Sequence, residues 1–345
     1  MRAARWMRRL CLLGVLLCFT VVVLGAYVRL TAAGLGCPDW PGCYGHLTPA
    51  GAQTADSAAA FPGRPLEPGK AWREMIHRYA ATTLGLLIIT LAALAVATRR
   101  EHIVSVRYAV LLFATVVVQG LLGMLTVTWQ LKPLIVTLHL LFGMTTLALL
   151  WWLALALRRD SWHAPSRGGA AAQGLGRQAA TTRAFVHGLA LLGLGVLVLQ
   201  IALGGWTSSN YAALACPDVP TCQGRWWPHT DYRNAFVLWR GLNINYEGGV
   251  LANPARVAIH LTHRVGALLT TAVLASAALL VLRRRALQSA RLPAAAVLVA
   301  LAVQLTIGVS MVLRAFPLWL ATAHTAGAAL LLLATLALLR ALTPR

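Results

Sequence analysis

Long uninterrupted apolar runs, separated by short polar stretches, recur along the whole chain. Eight of them, each about 20 residues, fall near 10–30, 79–98, 108–128, 134–157, 185–206, 260–282, 292–313 and 318–340. A helix of that length crosses the ~30 Å hydrocarbon core of a bilayer. In lipid the backbone must bond to itself, which only helices and closed barrels achieve. Barrel strands alternate apolar and polar residues, and these runs do not. The pattern predicts an all-α integral membrane protein with eight transmembrane helices.

Composition agrees: 59% of the 345 residues are hydrophobic and 11% are charged, against about 25% charged in soluble domains. An ordinary soluble enzyme and a disordered chain are both excluded. The net charge of +21 invites a polyanionic partner, so the placement of the charges decides. With the N-terminus inside, 18 of the 30 Lys and Arg fall on the inner side, at Arg2, Arg5, Arg8, Arg9, Arg99, Arg100, Arg107, Arg158, Arg159, Arg167, Arg177, Arg183, Arg283, Arg284, Arg285, Arg291, Arg340 and Arg345. Of the nine acids only Glu101 and Asp160 join them, giving +16 inside and +5 outside. By the positive-inside rule both termini are expected in the cytoplasm. The basic charge then orients the protein in its bilayer, and no nucleic-acid partner is expected. The basic segment Met1–Arg9 before an apolar run also suits a cleaved signal peptide, but the first run has a counterpart later in the chain and is expected to stay.

That counterpart belongs to an internal repeat. Cys37-Pro38-Asp39-Trp40-Pro41-Gly42-Cys43 matches Cys216-Pro217-Asp218-Val219-Pro220-Thr221-Cys222 at an offset of 179. His77-Arg78 matches His263-Arg264 at 186, and Gln119, Gly123 and His139 match Gln304, Gly308 and His324 at 185. Two pseudo-twofold-related four-helix bundles follow: residues 1–160, a cytoplasmic linker over 161–183, and residues 184–345. An even number of helices per half gives a parallel repeat about an axis along the membrane normal.

His77, His139, His263 and His324 all fall near the outer ends of their helices, with His77 and His263 expected at the helix starts. One intramembrane histidine is commonly a packing residue. Ionisable residues in spans are costly, and four at repeat-equivalent positions point to function. Two imidazoles from facing helices suit a haem iron. Zinc prefers four ligands, and each half offers two. Gly85, Gly123, Gly143, Gly266, Gly308 and Gly327 would admit a flat macrocycle, or serve close helix packing. Arg29, Arg78 and Arg264 could pair with propionates or anchor at the interface.

The halves differ at one position. Glu74 precedes His77 by three residues and shares its helix face, whereas the second half has His260 before His263. A carboxylate beside a ligand can move protons or stabilise a cation; its bland alternative is a helix-dipole partner. His263 rather than His260 is the preferred ligand. Duplicate sites differing in one reactive group suggest one haem as cofactor and one as substrate. A b-type cytochrome carrying electrons from quinol is the alternative, leaving Glu74 without a task; a transporter, the third reading, lacks a mid-membrane charge.

Cys11 and Cys18 read as packing residues. Cys37–Cys43 and Cys216–Cys222 lie in outer loops bent by two prolines each, so two short disulfides are plausible in an oxidising compartment. His46 and His229 in the outer loops, and His102, His163 and His187 on the inner side, read as incidental. Trp226, Trp227 and Trp239 suit the interface, and 232–242 could form an interfacial amphipathic helix.

These motifs resemble a known family. Val28-Arg29-Leu30-Thr31 before Gly34-Leu35-Gly36-Cys37-Pro38-Asp39-Trp40-Pro41 is similar to the first outer loop of haem A synthases. Glu74-Met75-Ile76-His77-Arg78 resembles their Glu-x-x-His-Arg. Asn245-Tyr246-Glu247-Gly248-Gly249-Val250 with Pro254–His260 resembles the approach to their sixth helix. The resemblance spans essentially the whole chain. It implies an inner-membrane oxidoreductase that oxidises a ring methyl of haem O to a formyl group, by successive hydroxylation and loss of water, giving haem A for haem-copper oxidases. It further implies haem b on His263 and His324, substrate haem O at His77 and His139, and a reactive Glu74. The first cysteine pair matches a cysteine-bearing branch of the family; the second is less uniform. Haem O, its synthase, an electron donor and the bilayer are the implied partners. A homo-oligomer is allowed, not marked.

Overall fold

The computed structural model describes residues 2–52, 60–61, 63–101, 103–157 and 170–343, with side chains for all of these except 2–3 and 170–179. Arg158, Arg159, Asp160, His163 and Arg167, all assigned to the inner side, lie outside the described residues, as do His102 and Arg345; of the linker only the helical part from Ala170 is described.

Eight helices are long and apolar enough to cross a membrane: α1 Arg2–Leu30, α2 Pro68–Ala97, α3 Val106–Thr128, α4 Pro133–Ala156, α5 Ala170–Ser209, α6 Asn253–Arg283, α7 Arg291–Leu313 and α8 Leu318–Leu342. Among the described residues there is no strand, only two isolated bridges. Proline at the first turn starts α2, α4 and α6, where a missing N–H costs nothing. Large apolar side chains such as Leu268 (70% exposed) and Leu292 (74%) point outward, as a lipid-facing surface requires.

Three boundaries differ from the sequence expectation. α2 and α6 begin about ten and seven residues earlier than the apolar runs, because their opening two turns carry Lys70, Arg73, Glu74 and Arg256. His77 and His263 therefore sit well inside their helices. α5 starts at Ala170, so much of the expected linker is helical; its Ala and Gln residues favour that state. The expected 232–242 helix is a single turn, Tyr232–Ala235, capped by the Asp231 side chain, which accepts from the Asn234 N–H.

α1 packs on α2 and α4, and α3 lies against both α2 and α4; α6 packs on α5 and α7, and α8 on α5 and α7. Contacts of α4 with α5, and of α8 with α1 and α4, join these groups. One continuous apolar core runs through them, from Ile88, Leu112, Leu147 and Leu150 to Leu274 and Leu338. At the end carrying the cysteine loops, Lys132 donates to the Gly241 carbonyl and lies 3.3 Å from the Trp239 ring centre. The Gln130 carbonyl accepts from the Tyr246 N–H at 3.1 Å. The turn between α3 and α4 is thereby fastened to the segment between α5 and α6.

Candidate functional site: two histidine pairs beneath disulfide loops

The two cysteine loops are built alike. Cys37–Cys43 and Cys216–Cys222 are disulfides, and Trp40-Pro41 and Val219-Pro220 are cis. Each closes on a turn with two consecutive left-handed residues, Tyr44 and Gly45 or Gln223 and Gly224, as a tight hairpin turn requires. An aspartate holds each turn: Asp39 accepts from the Tyr44 and Gly45 N–H groups at 2.6 and 2.8 Å, Asp218 from those of Gln223 and Gly224 at 2.6 and 3.0 Å. The Thr221 hydroxyl also donates to Asp218, and these donors hold its carboxyl below the usual range.

The arginine after each helix histidine holds its loop. Arg78 donates to the carbonyls of Asp39, Pro41 and Gly42 at 3.0, 3.2 and 2.5 Å. Arg264 donates to those of Thr221, Cys216 and Asp218 at 2.8, 3.3 and 2.8 Å. Arg29 is engaged elsewhere, donating to Ser208 O at 2.8 Å and lying 4.1 Å from the Tyr211 ring centre.

Beneath the loops lie the histidines. The ring centres of His77 and His139 are 6.5 Å apart, and those of His263 and His324 are also 6.5 Å apart. With metal–nitrogen bonds of about 2 Å on each side, two imidazoles sharing a metal have ring centres roughly 6–6.5 Å apart. Each ring rests on a glycine of a neighbouring helix. A Cβ on Gly25, Gly123, Gly204 or Gly308 would lie 3.0, 3.4, 3.3 or 3.0 Å from Cε1 of His77, His139, His263 or His324. Nδ1 of His77, His139 and His324 is buried without a hydrogen-bond partner. Paired, half-buried imidazoles set against helix glycines, three with an unused nitrogen, fit a haem iron in each pair. Among the described residues no three His, Cys, Asp or Glu converge, so a four-ligand zinc site lacks its donors.

Glu74 is buried on the loop side of His77. One oxygen accepts from the Cys37 N–H at 2.9 Å and the other pairs with Arg78. Glu74 lies beyond the first turn of α2, where the dipole is felt. The carboxylate is thus shared between loop and helix. His260 takes the matching place in α6, donating from Nδ1 to Ala212 O at 3.1 Å. It packs on Phe316, while His263 is the residue paired with His324.

Three glutamines were not anticipated as site residues. Gln119, Gln200 and Gln304 donate to the carbonyls of His139, His263 and His324 at 2.9, 2.9 and 3.1 Å. Gln-x-x-x-Gly at three sites was the available signal.

The architecture is that of a multi-pass helical membrane protein carrying two equivalent histidine pairs. The family described as "Cytochrome oxidase assembly protein", COX15-CtaA, matches residues 8–336. The chain is 41% identical to the Heme A synthase of Shewanella oneidensis over 95% of this chain and 93% of that protein. It is 30% identical to that of Paracoccus denitrificans (89% and 80%) and 29% to that of Caulobacter vibrioides (91% and 89%). The chain belongs to the COX15-CtaA family of cytochrome oxidase assembly proteins.

Proposed function

We propose that this protein is a haem A synthase, an oxidoreductase that converts haem O into haem A by oxidising a ring methyl to a formyl group in successive hydroxylations. The observation that carries the reading is the pair of matched histidine sites, each with ring centres 6.5 Å apart, only one of which has a carboxylate, Glu74, in the loop-side position. The two sites belong to two four-helix halves, residues 1–160 and 184–345, joined over 161–183. His77 and His139 hold the substrate haem O; His263 and His324 hold a b-type haem. That cofactor supplies one-electron transfer when bound. The remaining work is done by this chain's side chains.

The four imidazoles would hold the two haems, one in each pair. Gly25, Gly123, Gly204 and Gly308 let the imidazoles lie close to the neighbouring helix backbones. Glu74 holds negative charge beside the His77 site, where it stabilises positive charge developing next to the macrocycle or moves a proton. Arg78 and the Cys37 N–H fix its two oxygens, so the carboxylate needs no reorganisation as charge appears. The loops cover the sites and exclude water. Positive charge concentrated at the opposite helix ends, with disulfides at this one, supports an extracytoplasmic location for the sites and cytoplasmic termini. Haem O from its synthase and electrons from a separate donor complete the reaction.

The test is co-expression with a source of haem O, followed by chromatography of extracted haems. Haem A or its hydroxylated precursor is expected. Haem b alone would mark an electron-transfer cytochrome, and no haem would overturn both readings. Glu74→Gln is expected to retain haem while producing no haem A; full production would remove Glu74 from the chemistry.

A further inference from the structure

The histidine sites are not equally supported, and the difference lies one turn below each ring. Three helices carry the same device. The glycine against a histidine ring (Gly123, Gly204, Gly308) is preceded by four residues by a glutamine (Gln119, Gln200, Gln304). One turn apart on a helix, the two residues share a face. The glutamine amide donates to the backbone carbonyl of that same histidine at 2.9–3.1 Å. Gln200 Nε2 also lies 3.1 Å from His263 Nδ1.

Room for each amide comes from a second glycine, on the histidine's own helix. A Cβ on Gly266 would lie 2.2 Å from Gln200 Oε1, and one on Gly327 would lie 2.1 Å from Gln304 Oε1. At Gly143 it would lie 3.1 Å from Gln119 Nε2. These glycines follow their histidines by three or four residues. A side chain at Gly266 or Gly327 would displace the amide, and one at Gly143 would push it by a few tenths of an ångström.

His77 is the exception. Gly25 supports its ring, but four residues before Gly25 stands Val21, and three after His77 stands Ala80. The amide and the glycine that admits it are both missing from this one site. An apolar branched side chain cannot donate to the His77 carbonyl. Two residues on different helices thus depart together, which a random loss of one glutamine would not produce.

The ring of His77 bonds the Val21 backbone as that of His139 bonds the Gln119 backbone, so what His77 lacks is the amide on its own carbonyl. We propose that Gln119, Gln200 and Gln304 are positioning residues for the haem-ligating histidines, and that Val21 with Ala80 leaves His77 the less firmly held ligand, so that the N-terminal site releases its haem while the C-terminal site retains it. This rests on the haem-binding reading above. A site that takes in substrate and discharges product must exchange its macrocycle; a cofactor site must not. A partner on a ligating histidine's second ring nitrogen typically changes metal affinity by about 10–100-fold, and an amide that holds the same histidine by its backbone is expected at the lower end of that range.

The experiment loads the full-length protein in detergent with haem b at both sites and follows haem transfer to excess apomyoglobin by absorption. Two phases are expected, and a His77→Ala variant, losing the fast one, assigns it to the N-terminal site. Gln200→Met keeps the side chain's length and removes the donor; it is expected to speed the slow phase about tenfold and leave the fast phase unmoved. V21Q combined with A80G installs the missing device and is expected to slow the fast phase about tenfold, with the slow phase as its internal control for folding. If either variant leaves its own phase unchanged, moves both phases together, or abolishes one without a rate change, the assignment is overturned. If the unaltered protein takes up no haem b, the haem-binding reading itself falls, and this inference with it.

Discussion

The closeness of each histidine ring to a helix backbone can be tested by adding a single methyl group. Four glycines face the four rings, and an alanine Cβ would lie 3.0 Å from His77 at Gly25, 3.0 Å from His324 at Gly308, 3.3 Å from His263 at Gly204 and 3.4 Å from His139 at Gly123. Ordinary carbon–carbon contact is about 3.5–4.0 Å. The ring must therefore give by a few tenths of an ångström, most for the first two. Metal–ligand distances tolerate about 0.2 Å. Gly25→Ala and Gly308→Ala are expected to break or weaken one axial bond, and Gly204→Ala and Gly123→Ala to do so less. The assay is the haem content of the purified protein together with the absorption and electron paramagnetic resonance signals of six-coordinate low-spin haem. Each variant should affect the site of its own half and spare the other. Unperturbed low-spin signals in both Gly25→Ala and Gly308→Ala would refute the reasoning, since the rings would then have slack that the backbone spacing denies them.

Other substitutions bear on the loops. Arg264→Ala removes three hydrogen bonds from the Cys216–Cys222 loop and is expected to cost roughly 2–4 kcal/mol, read as faster proteolysis and amide exchange of 216–225. Asp218 is held below its ordinary carboxyl range by Thr221, Gly224 and Gln223. Its contribution is therefore present above the unfolded carboxyl value and lost as pH falls through the lower folded one. Amide exchange at Gln223 and Gly224, corrected for its intrinsic pH dependence, should accelerate in that acid window, and Asp218→Asn should abolish the pH dependence. Lys132→Ala removes the contact with Trp239 and the bond to Gly241, at about 2 kcal/mol, and should raise exchange at Tyr246, whose N–H bonds to the adjoining turn. Unchanged exchange there would detach Lys132 from this role.

Hydrophobic length alone determined the helices, because a bilayer leaves the backbone no alternative to satisfying itself within each span. The repeat was equally legible, since Cys-Pro-Asp, His-Arg and Gln-x-x-x-Gly keep nearly one offset. The starts of α2 and α6 were not: their polar first turns extend past the apolar core, and hydropathy reads only the part that suits lipid. Residues 232–242 show the same limit from the other side, where an amphipathic-looking stretch gives one helical turn. What the tertiary structure alone decided is where the polar groups spend their bonds. The sequence offered Arg78 and Arg264 to an anionic ligand, and the fold commits them to loop carbonyls. It offered Glu74 as a lone carboxylate, and the fold ties its two oxygens to Arg78 and Cys37. It preferred His263 over His260 only on the matching of His-Arg in the two halves, and helix packing sets His263 against His324 while His260 bonds Ala212. Hydrophobicity acts on every residue of a span at once and can be read in one dimension. A hydrogen bond joins two atoms from distant helices, and which two meet is settled only when the helices have packed.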